Sequence, residues 1–132
     1  MVVIKHEVNI TEAEHIVMEV IWGKNPISFP DILEAVKETE SWSSTTVHTL
    51  LSRLVKKGAI SVDKTTSKFL YAPLISFTEY RKQETDSFLK KMYKNSYKMF
   101  MANFIEEADL SRKEIEELQS LLDQYKDKNK KG

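Results

Sequence analysis

Apolar residues recur along this chain at three- and four-residue steps, interrupted once by a stretch in which they alternate. Ala13, Ile16, Val17, Val20 and Ile21 form the first helical stripe; Thr11-Glu12-Ala13-Glu14 opens it in the form of a capping box, and Gly23 closes it. Ile27 predicts a very short strand, after which Ser28 caps a second helix with Pro30 in its first turn and Ile32, Leu33 and Val36 on its buried side. Val47, Leu50, Leu51, Leu54 and Val55 fall at i, i+3, i+4, i+7 and i+8 and draw a third stripe. Ser43 caps that helix, and Gly58 supplies the left-handed position past its end. Three helices within residues 11–58 predict a helix-turn-helix arrangement.

The pattern then changes. Ala59-Ile60-Ser61-Val62-Asp63 and Lys68-Phe69-Leu70-Tyr71-Ala72-Pro73 are β-rich and partly alternating, and the polar Lys64-Thr65-Thr66-Ser67 lies between them. They predict a hairpin with a four-residue loop, the wing of a winged helix domain. From residue 76 the helical spacing returns, with Phe77, Tyr80, Phe88, Met92, Tyr93, Tyr97, Phe100, Met101, Phe104 and Ile105 in sequence. A last helix opens on the capping box Ser111-Arg112-Lys113-Glu114 and carries Ile115, Leu118, Leu121, Leu122 and Tyr125. The expected fold is mainly α with a small β wing: a winged helix-turn-helix domain over residues 1–75, a helical dimerisation domain over 76–126, and a basic, disordered tail over 127–132.

The dimer follows from an excess of apolar surface. Successive helices with so little other chain around them can bury Phe88, Met92, Tyr97, Phe100, Met101, Phe104, Ile115, Leu118 and Leu122 most economically against a second copy. An intrachain core is the plainer alternative.

The polar side of the third helix is where candidate chemistry enters. Ser44, Thr45, His48, Thr49, Ser52, Arg53 and Lys56 make a face of short donors and acceptors with a basic end and no carboxylate. An ordinary solvated helix mixes both signs, whereas a helix set against phosphates and base edges avoids negative charge. Charge along the chain supports this. The 132 residues are formally neutral overall, but residues 1–41 carry a net −5 and residues 42–75 a net +4. One segment is therefore strongly basic. Ser43, Thr45, Thr46, His48, Thr49, Arg53 and Lys56 on the helix, with Lys64, Lys68 and Tyr71 on the wing, are the candidate contacts to double-stranded DNA. Plainer roles stand beside them: Arg53 can snorkel over the wing or pair with an acid of the first helix, Thr46 and Thr49 can back-bond within their own helix, and His48 can be an ordinary surface histidine.

Composition excludes several classes. There is no cysteine, hence no disulfide, thiolate metal site or cysteine nucleophile. The three histidines lie on separate elements without an HExxH, GxSxG or phosphate-cradling glycine loop, so neither catalysis, a metal nor a cofactor is expected. The chain begins with no basic and apolar leader and holds no run of about 18 apolar residues, which predicts a soluble, cytoplasmic protein with no direct membrane insertion.

Taken in order, Thr11-x-x-Glu14, Val17-Met18-x-x-Ile21-Trp22, Trp42-Ser43-x-x-Thr46-Val47-x-Thr49-Leu50-Leu51-x-Arg53-Leu54-x-Lys56-Lys57-Gly58 and Tyr71-x-Pro73-Leu74 resemble the penicillinase repressor family, the BlaI/MecI-type transcriptional regulators, over roughly residues 8–125. The resemblance implies a dimeric repressor on a pseudo-palindromic operator with TACA and TGTA half-sites, controlling β-lactamase or penicillin-binding-protein genes. Met101-Ala102-Asn103-Phe104-Ile105-Glu106 resembles the segment at which these repressors are cut when a membrane sensor-transducer metalloprotease detects a β-lactam, which would make the Asn103–Phe104 bond the inactivation switch. Two departures matter. Many relatives have Pro-Lys after the capping Ser and Arg, Lys or Gln at the position of His48, whereas this chain has Ser44, Thr45 and His48. Copper-responsive relatives carry a cysteine-rich metal motif that this chain lacks. The competing readings are a repressor of the same family controlling genes unrelated to β-lactams, and a winged helix used as a protein-interaction module without DNA.

Overall fold

The computed structural model describes residues 7–129. Over them the chain runs α1 (Glu12–Gly23), β1 (Ile27–Ser28), α2 (Phe29–Val36), α3 (Ser44–Lys56), β2 (Ile60–Asp63), β3 (Leu70–Pro73), α4 (Phe77–Tyr93), α5 (Tyr97–Glu107) and α6 (Arg112–Lys128). Contacts divide it into two units, one ending at Thr85 and the other starting at Asp86.

The first unit is a winged helix. Each of its first three helices starts on a side-chain cap that satisfies an orphan N–H: Thr11 for α1, Ser28 for α2 and Ser43 for α3. Gly58 has φ 81°, the left-handed conformation that lets the chain leave α3 and enter β2. The sheet is antiparallel in the order β1-β3-β2, with Tyr71 of the central strand opposite both Ile27 and Val62. Val17, Met18, Ile21, Ile32, Val36, Val47, Leu51, Leu54 and Ile60 fill the core between helices and sheet.

Three details differ from the sequence expectation. In α1 the buried set is Glu14, Val17, Met18 and Ile21, rotated from the stripe Ala13, Ile16, Val17, Val20, Ile21, because Glu14 meets a basic partner inside the fold. The wing loop spans residues 64–69 rather than 64–67. Asp63 Oδ1 accepts from Thr65 N at 2.9 Å and from Thr65 Oγ1 at 2.6 Å, and the Thr66 hydroxyl donates to the Lys68 carbonyl, so local turns draw Lys68 and Phe69 out of the ladder. The unit boundary falls ten residues later than the expected 75/76. The first turns of α4 belong to the winged helix: Trp22 lies edge-on to Phe77 at 5.2 Å, Tyr80 packs on Trp22 at 5.4 Å, and the Gln83 side-chain amide donates to and accepts from the Val8 backbone.

In the second unit Phe88, Tyr93 and Phe100 meet edge to face at 5.3 to 5.8 Å, and Leu89 is buried. Ser96 caps α5, and Ser111 with Glu114 forms the capping box of α6. Helix α6 continues to Lys128, two residues into the segment expected as a tail; residues 130–132 of that segment lie outside the described residues. Neither α5 nor α6 has a buried residue. Among the described residues no helix is long and apolar enough to cross a membrane.

Candidate nucleic-acid interface

Helix α3 turns Val47, Leu50, Leu51 and Leu54 into the core, and its phase therefore leaves Ser44, Thr45, His48, Thr49, Ser52, Arg53 and Lys56 exposed. Thr45, His48, Thr49, Ser52, Arg53 and Lys56 line one shallow concavity along the helix. A second joins His48 and Ser52 to the wing through Val55, Val62, Lys64, Phe69 and Tyr71. Of the sequence-predicted contact residues, Thr45, His48, Thr49, Arg53, Lys56, Lys64 and Tyr71 line these two concavities and Ser43, Thr46 and Lys68 line neither; on the helix the cations lie at the C-terminal end, where the helix dipole favours them.

Their hydrogen bonds limit what each can do. Ser43 Oγ accepts from Thr46 N at 3.2 Å and lies 3.2 Å from Thr46 Oγ1, so both hydroxyls are engaged in the cap. Thr49 Oγ1 donates to the Thr45 carbonyl at 3.0 Å, which uses its only donor and leaves it an acceptor. On the wing, Lys64 and Lys68 are exposed, and the Lys64 ammonium lies 5.5 Å from the centre of the Phe69 ring. Tyr71 is a correction. At 5% exposure in the central strand it belongs to the core, and burial pushes its phenol above the ordinary value; it does not stand out from the wing as a backbone contact.

Two features were not anticipated from the sequence. His48 stacks face to face on Phe29, with ring centroids 3.8 Å apart and planes 11° from parallel. Phe29 continues the Ile32, Leu33, Val36 spacing of α2 by one turn, which marks it as inward-facing, but nothing local names its partner. The second is an ion pair behind the face. Lys57 Nζ, at the C-cap of α3, lies 2.5 Å from Glu14 Oε1 and 2.8 Å from the Asn9 carbonyl. Burial alone would raise the Glu14 carboxyl, but the Lys57 ammonium together with the Thr11 N–H and hydroxyl outweighs it and holds the group below the ordinary carboxylate value. Glu14 Oε2 has no hydrogen-bond partner. The signal was available: Glu14 is in phase with Val17, Met18 and Ile21, and a carboxylate on a buried stripe requires a cation.

Comparison with known proteins places these features in context. The family model described as penicillinase repressor matches residues 10–124. The penicillinase repressor of Bacillus licheniformis is 36% identical over 121 residues, which cover 92% of this chain and 94% of that one. The methicillin resistance regulatory protein MecI of Staphylococcus aureus (strain N315) is 37% identical over 113 residues, covering 86% and 92% respectively. Among solved structures, the solution structure of the DNA binding domain of the repressor BlaI matches with a TM-score of 0.50 at 38% identity, over 55% of this chain and 88% of that one.

Proposed function

From the premise that the chain belongs to the penicillinase repressor family, a family of transcriptional repressors and not of enzymes, we propose that it represses transcription as a homodimer on a double-stranded, pseudo-palindromic operator. The observation that carries this reading is the exposed face of α3: seven polar or basic residues, no carboxylate, and the lysines of the wing beside it. Such a face meets phosphates through cations and base edges through short donors and acceptors. Each protomer would set α3 in the major groove of one half-site of the TACA/TGTA type, with Lys64 and Lys68 against the backbone.

The second unit supports the dimer. Phe88, Met92, Tyr97, Met101, Phe104, Ile115 and Leu122 are exposed and apolar, more surface than a helical unit of this size ordinarily leaves in water. Linking two half-site contacts acts through effective concentration, and its loss weakens operator binding by a factor of about 10² or more. The proposed switch uses this. Asn103 and Phe104 lie inside α5, and a cut between them by a membrane sensor-transducer metalloprotease on β-lactam sensing would detach the end of α5 and all of α6. The genes controlled would be those of β-lactamase or a penicillin-binding protein, and the site of action the cytoplasm.

Footprinting the full chain on the DNA upstream of its own gene, across a salt series, tests the reading. Two symmetric protected half-sites about one helical turn or a multiple apart, with affinity falling steeply in salt, are expected. A chain that protects no site, or whose binding ignores salt, is not an operator-binding repressor.

A further inference from the structure

His48 is the one residue of the α3 face whose ring is held by another element. An exposed histidine samples several rotamers, and ordering it on a ligand opposes binding. Here Phe29, half-buried at the start of α2 and anchored to the core, covers one face of the imidazole at 3.8 Å. Among the described residues no hydrogen bond engages either ring nitrogen. The imidazole therefore keeps its apolar face against the protein and its polar rim free, on the concavity that also holds Thr45, Thr49 and Arg53. Its neighbours on that concavity supply an acceptor in Thr49 and a cation in Arg53, while the rim of the imidazole supplies at least one N–H donor. In the major groove both purines present N7 as an acceptor toward such a donor and guanine adds O6, whereas cytosine presents a donor there and thymine only O4 beside its C5-methyl.

Resting on the operator-binding reading above, we propose that His48 is a specificity-determining residue that donates to a purine edge, and that Phe29 is the positioning residue that holds it for that contact. The stack confines the pair's effect to one position of the half-site, where it sets a base preference.

The test is selection of the full chain from a random-sequence duplex library, followed by sequencing, for the wild type, His48→Ala, Phe29→Leu and Phe29→Tyr. The wild type is expected to prefer a purine at one position of each half-site. His48→Ala should flatten that position alone, Phe29→Leu should weaken the preference there by about two- to tenfold, and Phe29→Tyr should keep it. The His48 ring protons, shielded by the phenyl face, should resonate upfield in the wild type and Phe29→Tyr and move back in Phe29→Leu. A Phe29→Leu profile equal to wild type, or one weakened uniformly at every position, overturns the positioning role. If Phe29→Leu fails to fold, His48→Ala decides: an unchanged profile overturns the proposal. A wild type that selects no sequence sinks the operator reading and this inference with it, an outcome distinct from the other two.

Discussion

Replacing Lys57 by Met strands a charge inside the winged helix. Glu14 has a side-chain exposure of 1% and Lys57 of 32%, so the substitution leaves a buried carboxylate with only Thr11 to answer it. Breaking a buried pair from one side costs about 3 to 5 kcal/mol. Water reaches a third of the Lys57 side chain, and screening lowers the expected loss to about 2 to 3 kcal/mol. For a unit of this size the melting temperature should fall by about 8 to 24 °C. The chain has two tryptophans, Trp22 and Trp42, and both lie in the first unit, so tryptophan fluorescence in urea reports that unit alone. The midpoint should drop with the slope unchanged.

Two further arms separate the electrostatic cause from lost packing. Glu14→Gln added to Lys57→Met removes the stranded charge while its amide oxygen can still accept from Thr11 N, and should recover about half the loss or more. The pH dependence has a definite sign. The folded Glu14 carboxyl is held below its unfolded value, so its contribution is complete above the unfolded value and is lost as pH falls through the folded one. In Lys57→Met burial instead pushes the carboxyl up, and acid relieves the variant by protonating it. The gap between wild type and variant is therefore widest near neutrality and narrows toward pH 4. A gap under about 0.5 kcal/mol at pH 7, or one that is the same at pH 4 and pH 7, would refute the reasoning.

Other expectations concern the proposed interface and switch. Arg53→Ala should lower operator affinity by about tenfold or more, read by fluorescence anisotropy; an unchanged affinity would return Arg53 to a surface role. Lys64→Ala and Lys68→Ala should each reduce the slope of log affinity against log salt by about 0.9, equally for operator and random DNA, and a slope equal to wild type would remove that lysine from the backbone contacts. Leu122→Glu, on a residue 66% exposed, should sediment as a monomer and bind operator about 10²-fold more weakly while the tryptophan-monitored melt stays put. Asn103→Ala should keep operator affinity and persist at full length after β-lactam exposure; a variant still cut at this bond would take the switch elsewhere.

What was legible in the sequence was what is decided locally. Thr11, Ser28, Ser43 and Ser111 cap their helices as read, since a cap needs only a side-chain oxygen and the next turn. The inward stripe of α3 was also readable, because its period alone fixes the face. Features set by distant partners were not. The rotation of α1 onto Glu14 depends on Lys57, 43 residues away. Tyr71 reads as an outward wing residue in a two-strand hairpin, but β1 pairs with the free edge of β3 and makes it the central strand, so Tyr71 has Ile27 opposite it on one side as well as Val62 on the other. The His48 stack likewise joins two helices, and a polar face drawn from phase alone gives seven equivalent side chains where the fold sets His48 apart by its stack and Thr49 by its bond to the Thr45 carbonyl.

The two units rely on different sources of order. Helices α1 to α3 each bury residues in one core, so the proposed reading face is built within a single protomer. Helix α5 has 11 residues, buries none, and exposes Tyr97, Met99, Met101, Phe104 and Ile105. Helices shorter than about 12 to 15 residues are marginal in water on propensity alone, so α5 persists to the extent that something covers its apolar side. On the proposed function the cover is a second copy, and the same contact shields the Asn103–Phe104 bond, because a peptidase needs that helix locally open. Dimer stability then enters the output twice, as the effective concentration joining two copies of α3 and as the closed fraction of α5. On this reading a cut would lower the first by removing the second unit's remaining cover, without altering a single residue of the face proposed to meet DNA.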